Sequence, residues 1–217
     1  MGLVILGAGG LAREVLQSVK DIYATGKFEG ICPLGFIDED QSNHGKIIHG
    51  LSVLGGFDWL LKASPQLNLA MGVGFPRIRK KFVDNLENLG LRFRFPALIH
   101  PTAHIGGNVK FGHGAQVMMH NSITVDITVG NYVLINQGCS IGHDTVIEDF
   151  ACLSPHCVIS GHSHICEGAD LGSNVITKPG VKVGAWSVVG LQSGVVKDIP
   201  EKVVAVGCPA KPIKDLA

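Results

Sequence analysis

Large apolar side chains recur at every sixth position through the second half of the chain: Ile99, Ile105, Phe111, Val117, Ile123, Val129, Ile135, Ile141, Ile147, Leu153, Ile159, Ile165, Leu171, Thr177, Val183 and Val189. Thr177 is the one polar member of this column, and no insertion breaks the register. A second column, four residues after each of these, is mostly small, as at Ala103, Ala115, Cys139, Ala151, Cys157 and Ala169; Asn121 and Ile127 depart from it. Glycine commonly follows the large residue, as at Gly106, Gly142, Gly172 and Gly190. A period of six matches neither the helical period of 3.6 nor plain strand alternation. It predicts a three-sided coil of short parallel strands, one hexapeptide per face. The large residue lies inside, the small one packs by a corner, and glycine eases the turn. Residues 99–194 then form roughly five coils of about 18 residues each.

Residues 1–95 follow a different pattern. An apolar run at residues 3–6 predicts a buried strand, followed by Gly7-Ala8-Gly9-Gly10 and an amphipathic helix over residues 11–24. Further strands are predicted at residues 34–37, 67–73 and 91–95. The first of these ends in Asp38-Glu39-Asp40 and the second in a Gly72-Val73-Gly74 turn. A basic helix carrying Arg77, Arg79, Lys80 and Lys81 follows, its charges expected on an exposed face. Strand–helix alternation with a glycine-rich first turn predicts a small Rossmann-like α/β domain over residues 1–95, and the solenoid with its tail takes residues 96–217. Gly7-x-Gly9-x-x-Ala12 is a fingerprint that lets a diphosphate approach backbone N–H groups at a helix N-terminus.

Composition excludes several classes. The 217 residues carry 18 Lys+Arg against 18 Asp+Glu, so no net positive charge invites nucleic acid or an anionic membrane. No apolar run reaches the roughly 18 residues of a membrane span, and the first residues run into a strand pattern where a signal peptide would stand. Six cysteines without close pairing then suggest reduced thiols and a cytoplasmic location. Of ten histidines, eight lie between His100 and His164. That stretch is poor in charge, and histidine is the side chain suited to act as a base near neutral pH.

The in-phase hexads, with a closing segment Val204-Ala205-Val206-Gly207-Cys208-Pro209-Ala210-Lys211, resemble the hexapeptide-repeat acyltransferases, whose solenoid is a left-handed parallel β-helix. Gly7-Ala8-Gly9-Gly10, Phe36-Ile37-Asp38-Glu39 and Gly72-x-Gly74 ahead of the hexads resemble the sialic-acid O-acetyltransferase-like group. That group includes N-acetyltransferases acting on nucleotide-linked amino sugars. The resemblance implies acetyl-CoA as co-substrate, no metal, a nucleotide-linked amino sugar as acceptor, and a homotrimer. It implies His143 as general base with Asp144 fixing its tautomer, and Asn136 as the partner one face earlier. It places Gly9 and Gly10 by the diphosphate, Asp38 or Glu39 by the base or ribose, and Gly74 near the sugar. Acetyl-CoA would meet Gly161, Gly190, Leu191, Lys197 and Lys211. Two departures stand out: Leu11 and Cys152 occupy positions where such enzymes often carry histidine, with His156 and His162 as candidates to replace the second.

Stacking arithmetic bears on the same residues without the family. One coil beyond His143 is Gly161, and one coil beyond Asp144 is His162. Stacked strands lie about 4.8 Å apart, so the Gly161 N–H is a donor candidate for a developing oxyanion. His162 competes with His143 for Asp144. The reading that follows is acetyl-CoA-dependent N-acetylation of a nucleotide-linked amino sugar. O-acetylation of a sialic-acid-like hydroxyl is the alternative. A zinc carbonic anhydrase is disfavoured because His162-x-His164 points to neighbouring phases, and the one histidine pair four residues apart, His100 and His104, lies in the first coil, away from His143. A non-catalytic sugar-nucleotide sensor is disfavoured by the presence of both Asn136 and His143.

Overall fold

The computed structural model describes residues 2–26 and 32–216. In the N-terminal half, β1 (Gly2–Leu6), α1 (Gly10–Ala24) and β2 (Cys32–Ile37) are followed by the hairpin β3 (Ile47–Ile48) and β4 (Leu51–Gly55). A short α2 (Phe57–Leu60), then β5 (Asn68–Met71) and α3 (Pro76–Asn88), complete it. The sheet order is β3-β4-β2-β1-β5, parallel except for the hairpin. The apolar run of β1 is fully buried at the middle of this sheet, and α1 buries Ala12, Val15, Leu16, Val19 and Ile22 along one stripe. The hairpin and α2 lack a long apolar pattern and escape sequence reading; His49 and Gly50, both at positive φ, make its tight turn. The strand expected at residues 91–95 is absent. Arg94 makes only an isolated bridge to Asn68, and Pro96 follows at once.

From Leu98 onward the chain winds as a left-handed β-helix of two-residue strands. The first face stacks Leu98–Ile99, Gln116–Val117, Leu134–Ile135, Cys152–Leu153, Asp170–Leu171 and Val188–Val189. The second runs from His104–Ile105 through Ser140–Ile141 to Gly194–Val195, and the third from Lys110–Phe111 through Val146–Ile147 to Lys182–Val183. Each strand pairs with the one 18 residues on, and the large apolar column fills the interior. Strands Val203–Val206 and Lys211–Asp215 extend the first face and close it.

Glycine serves this coil differently from the expectation. The glycine after each interior residue is there for close approach: a Cβ on Gly142 would lie 2.5 Å from the Gly161 nitrogen of the next coil. The left-handed turn position comes two residues later, and non-glycine residues fill it at Asp126, Asp144 and His162, with φ of 57°, 56° and 58°.

The N-terminal half packs on the first face. Leu98, Met118, Leu134 and Cys152 join Leu3, Ile5 and the α1 stripe in one apolar cluster. Arg79, expected on an exposed helix face, is instead fully buried at this junction. Its Nε donates to the Tyr132 carbonyl (2.8 Å), Nη1 to the Val73 carbonyl (2.8 Å) and Nη2 to Gln116 Oε1 (2.9 Å). Gln116 Nε2 in turn donates to the Met71 carbonyl (2.9 Å). Among the described residues no carboxylate pairs with Arg79, so three neutral acceptors hold a buried cation. His100, in the first coil, is buried too, with Nε2 3.1 Å from Asp21 Oδ2. Arg79→Ala strips three acceptors and opens a cavity between domain and solenoid. It should cost about 3 kcal/mol or more in urea unfolding, and a loss under about 1 kcal/mol would show that the junction does not depend on it.

Candidate active site

His143 and Asp144 sit on the edge where the second face turns into the third, directly after Ser140–Ile141. The left-handed φ of Asp144 folds its side chain back onto its neighbour, and Asp144 Oδ2 lies 2.8 Å from His143 Nδ1. A carboxylate only accepts, so Nδ1 carries the proton and Nε2 keeps its lone pair. That lone pair lies by Gly161: a Cβ there would stand 2.8 Å from both Nε2 and Cε1 of His143. The stacking arithmetic therefore holds, and no side chain other than hydrogen is tolerated beside the imidazole. The Gly161 N–H donates to no protein acceptor among the described residues.

The competition for Asp144 resolves by distance. His162 Nδ1 is 3.8 Å from Asp144 Oδ2, beyond a hydrogen bond, while its ring meets His143 edge-on with centroids 4.9 Å apart. Asp144 therefore orients His143, and His162 borders the site. His156 lies on a different edge, with its ring against Gly138. Cys152 is buried on the first face among the cluster under α1, and burial pushes its thiol up to about 12. It is packing, not a nucleophile. Cys139 and Cys157, members of the small column, are buried in the core of the coil.

One chain distributes the remaining candidates over four places. Lys197 lies on the His143 edge three coils on, exposed, while Asn136, Gly190 and Leu191 follow first-face strands and so occupy the edge between the first and second faces. Asn136 Oδ1 accepts from the Gln137 N–H (2.9 Å), and Leu191 is 69% exposed. Lys211 is exposed in the closing strand. In the N-terminal half, Gly9 and Gly10 are exposed at the start of α1. A cleft of about 420 Å³ beside Gly10 is lined by Arg13, Glu14, Gln17, Lys20, His49 and Met119. Asp38 spends its oxygens on the Ala8 and Asp40 N–H groups (both 2.9 Å), and Glu39 Oε1 accepts from the Phe57 N–H (2.7 Å). Both acidic side chains thus brace the glycine loop and α2. Gly74 faces Leu11 and Leu134, where a Cβ would meet Leu11 Cδ2 at 3.5 Å.

Among the described residues two groups could ligate a metal, His143–Asp144–His162 and Glu148–His164–Cys166, each with donor atoms within 4.8 Å of one another. The second is held together by a 2.5 Å contact between His164 Nε2 and Glu148 Oε1. Among the described residues no helix is long and apolar enough to cross a membrane. Sequence reading missed Gly142, whose lack of a Cβ admits the Gly161 amide, and the hydroxyls of Ser160, Ser163 and Thr177 behind that amide. Thr177 alone carried a signal, as the polar exception in the apolar column.

Comparison with known proteins agrees with this architecture. Residues 2–86 match the PglD N-terminal domain family. A crystal structure of a histidine-to-asparagine mutant of perosamine N-acetyltransferase from Caulobacter crescentus, in complex with CoA and GDP-perosamine, superposes with a TM-score of 0.87. It is 29% identical, over 99% of this chain and 98% of that one. PerB from Caulobacter crescentus, also in complex with CoA and GDP-perosamine, is 30% identical over 98% of this chain and 97% of that one, with a TM-score of 0.85. Galactoside O-acetyltransferase from Lactococcus lactis is 38% identical over 115 residues, 49% of this chain. That match spans only 53% of the relative, about half its length. The chain belongs to the hexapeptide-repeat acetyltransferase family, with an N-terminal domain of the PglD type.

The burial pattern predicts thiol reactivity. Cys32 and Cys208 are exposed and the other four cysteines are buried. A thiol reagent at pH 8 should therefore modify Cys32 and Cys208 in the folded protein, leaving Cys139, Cys152, Cys157 and Cys166 until denaturant is added. Mass spectrometry finding Cys152 labelled in the native state would contradict the packing described.

Proposed function

We propose that the protein transfers the acetyl group of acetyl-CoA to the amine of a nucleotide-linked amino sugar. The observation that carries the reading is the corner formed by His143, Asp144 and the Gly161 N–H, on a solenoid whose own chain supplies a PglD-type domain. The acceptor amine attacks the thioester carbonyl directly, and His143 Nε2 takes its proton during or after attack. Asp144, hydrogen-bonded to Nδ1, stabilises the imidazolium that results. Charge gathers on the carbonyl oxygen, which the unengaged Gly161 N–H receives. The intermediate collapses to the amide and expels CoA thiolate, which the imidazolium proton neutralises.

The nucleotide end is assigned to the exposed Gly9–Gly10 turn at the start of α1, with Arg13 and Lys20 lining the adjacent cleft. Asp38 and Glu39 shape that turn and contact the base or ribose only with lone pairs left over from their backbone bonds. Acetyl-CoA runs along the edge from His143 to Lys197, with Gly190, Leu191 and Lys211 contributing from the other edge. Asn136 and His143 occupy different edges of one prism, so a complete site needs a second copy. The exposed apolar side chains Val158 and Ile176 on the second face suit a trimer interface. The domain division at residues 95 and 96 belongs to this reading, as do precursor synthesis for a surface polysaccharide and a cytoplasmic location. Six unpaired thiols fit a reducing compartment.

O-acetylation of a sugar hydroxyl is the second reading, favoured by the O-acetyltransferase relative. The Lactococcus match covers only half of this chain, whereas the PglD-type domain favours the nucleotide-linked acceptor. Thiol release from acetyl-CoA, measured against UDP- and GDP-linked amino sugars and against sugars offering only hydroxyls, separates the two. Absence of thiol release with every amine acceptor would remove the leading reading. With the best acceptor, His143→Ala and His143→Asn should each cut turnover at least about 100-fold with little change in acetyl-CoA affinity. Wild-type-like turnover would move the base elsewhere.

A further inference from the structure

Everywhere else along the His143 edge the coil ladder has one form. The residue after the interior position donates its N–H to the carbonyl of the interior residue in the next coil, as Gly142 does to Ile159 (2.7 Å) and Lys178 to Val195 (2.7 Å). Ser160 breaks the rule. Its N–H donates to the Thr177 hydroxyl (2.9 Å), and its own hydroxyl donates to the Thr177 carbonyl (2.6 Å). Consistently, the strands here pair only through Val158 and Ile176, without the second residue pair found at neighbouring coils. Ser163 Oγ donates to the Ser160 carbonyl (2.6 Å) and stands 3.2 Å from Thr177 Oγ1.

Proton counting fixes the direction of these bonds. Each hydroxyl has one proton. That of Ser163 is committed to the Ser160 carbonyl, so Thr177 donates to Ser163 while accepting from the Ser160 N–H. The result is a closed ring: Ser160 N–H to Thr177, Thr177 to Ser163, Ser163 back to the Ser160 carbonyl. The Ser160 carbonyl shares a planar trans peptide with the Gly161 N–H, so holding the oxygen to one side aims the hydrogen to the other. Thr177 is also the single polar residue in the interior column, where a valine would satisfy packing.

We infer that Thr177 is a positioning residue for acetyl transfer, acting through Ser160 and Ser163 to aim the Gly161 N–H at the oxyanion. The inference rests on the reading of His143 and Gly161 given above. Thr177→Val keeps the volume, completes the apolar column and lets Ser160 return to the ordinary ladder. It should lower kcat about tenfold or more, with KM for acetyl-CoA and the unfolding midpoint close to wild type. Thr177→Ser, which keeps the hydroxyl, should restore most of kcat, a rescue that a purely structural role would not require. Ser163→Ala opens the same ring from the other side and should give the same loss, so the question stays decidable if Thr177→Val fails to fold. All rates are read as CoA release with the best acceptor among UDP- and GDP-linked amino sugars, with His143→Ala in parallel. A kcat within about twofold of wild type for the folded ring variants overturns the inference, as does a loss that Thr177→Ser does not repair. If His143→Ala is silent while the ring variants turn over normally, only the inference falls. If His143→Ala turns over normally, the reading of the site falls with it.

Discussion

The hydrogen-bond ladder between successive coils is the constraint on which the rest of the molecule depends. Gly106 donates to Ile123, Gly142 to Ile159 and Gly172 to Val189, each across the same 17 residues. The ladder holds neighbouring coils at the spacing of a parallel sheet, so residues 18 apart become lateral neighbours. Branched apolar side chains fill the interior at that spacing, and an insertion anywhere would expose one column and bury another. The chemistry inherits this geometry. Gly161 lies beside His143 because the ladder places it there, and Asp144 curls back because the turn position demands a left-handed φ. His143, Asp144 and Gly161 all stand on the coil itself, not on a loop inserted between coils.

The same rigidity governs how the N-terminal half meets the solenoid. The first face offers Leu98, Met118, Leu134 and Cys152 to the underside of α1 and β1. Arg79 ties the loop after β5 to the coil through Val73, Tyr132 and Gln116. A buried guanidinium facing only neutral acceptors is an expensive fastener, since its desolvation is repaid by dipoles alone. It nonetheless fixes three chain segments at once, in directions an apolar side chain cannot specify. Leu11 and Cys152, where the family resemblance leads one to expect histidine, both belong to this junction. Leu11 packs against the cluster that contains Cys152, with Gly74 in contact with Leu11 and near Leu134.

Legibility in the sequence followed the periodicity of each element. The solenoid could be read residue by residue because one constraint repeats sixteen times, and the neighbours of His143 followed by addition. The N-terminal half was readable where apolar runs were long, at β1 and α1. It was opaque at β3, β4 and α2, where a tight turn at His49-Gly50 and a few contacts decide the conformation. Arg79 was misplaced for a related reason: local amphipathicity puts charges outside, and only the approach of the solenoid turns that face inward. The split of Asn136 and His143 between two edges was implicit in the hexad phase, yet it becomes visible only on a three-sided prism.

Exceptions to a strict repeat can therefore be weighed individually. Asn121 breaks the small column, and its amide closes locally on the Met118 carbonyl and the Cys139 N–H. That is corner repair, since a coil bending there exposes backbone groups that water cannot reach. Thr177 breaks the large column in another way. Its backbone would be satisfied by the ordinary ladder without the hydroxyl, as Val195 and Ile159 show at equivalent positions. A buried hydroxyl that replaces a main-chain bond already available gains little for folding. What it changes is the setting of the Ser160–Gly161 peptide beside the imidazole, and under the proposed reading of that corner the reason for the exception lies in the chemistry and not in the packing.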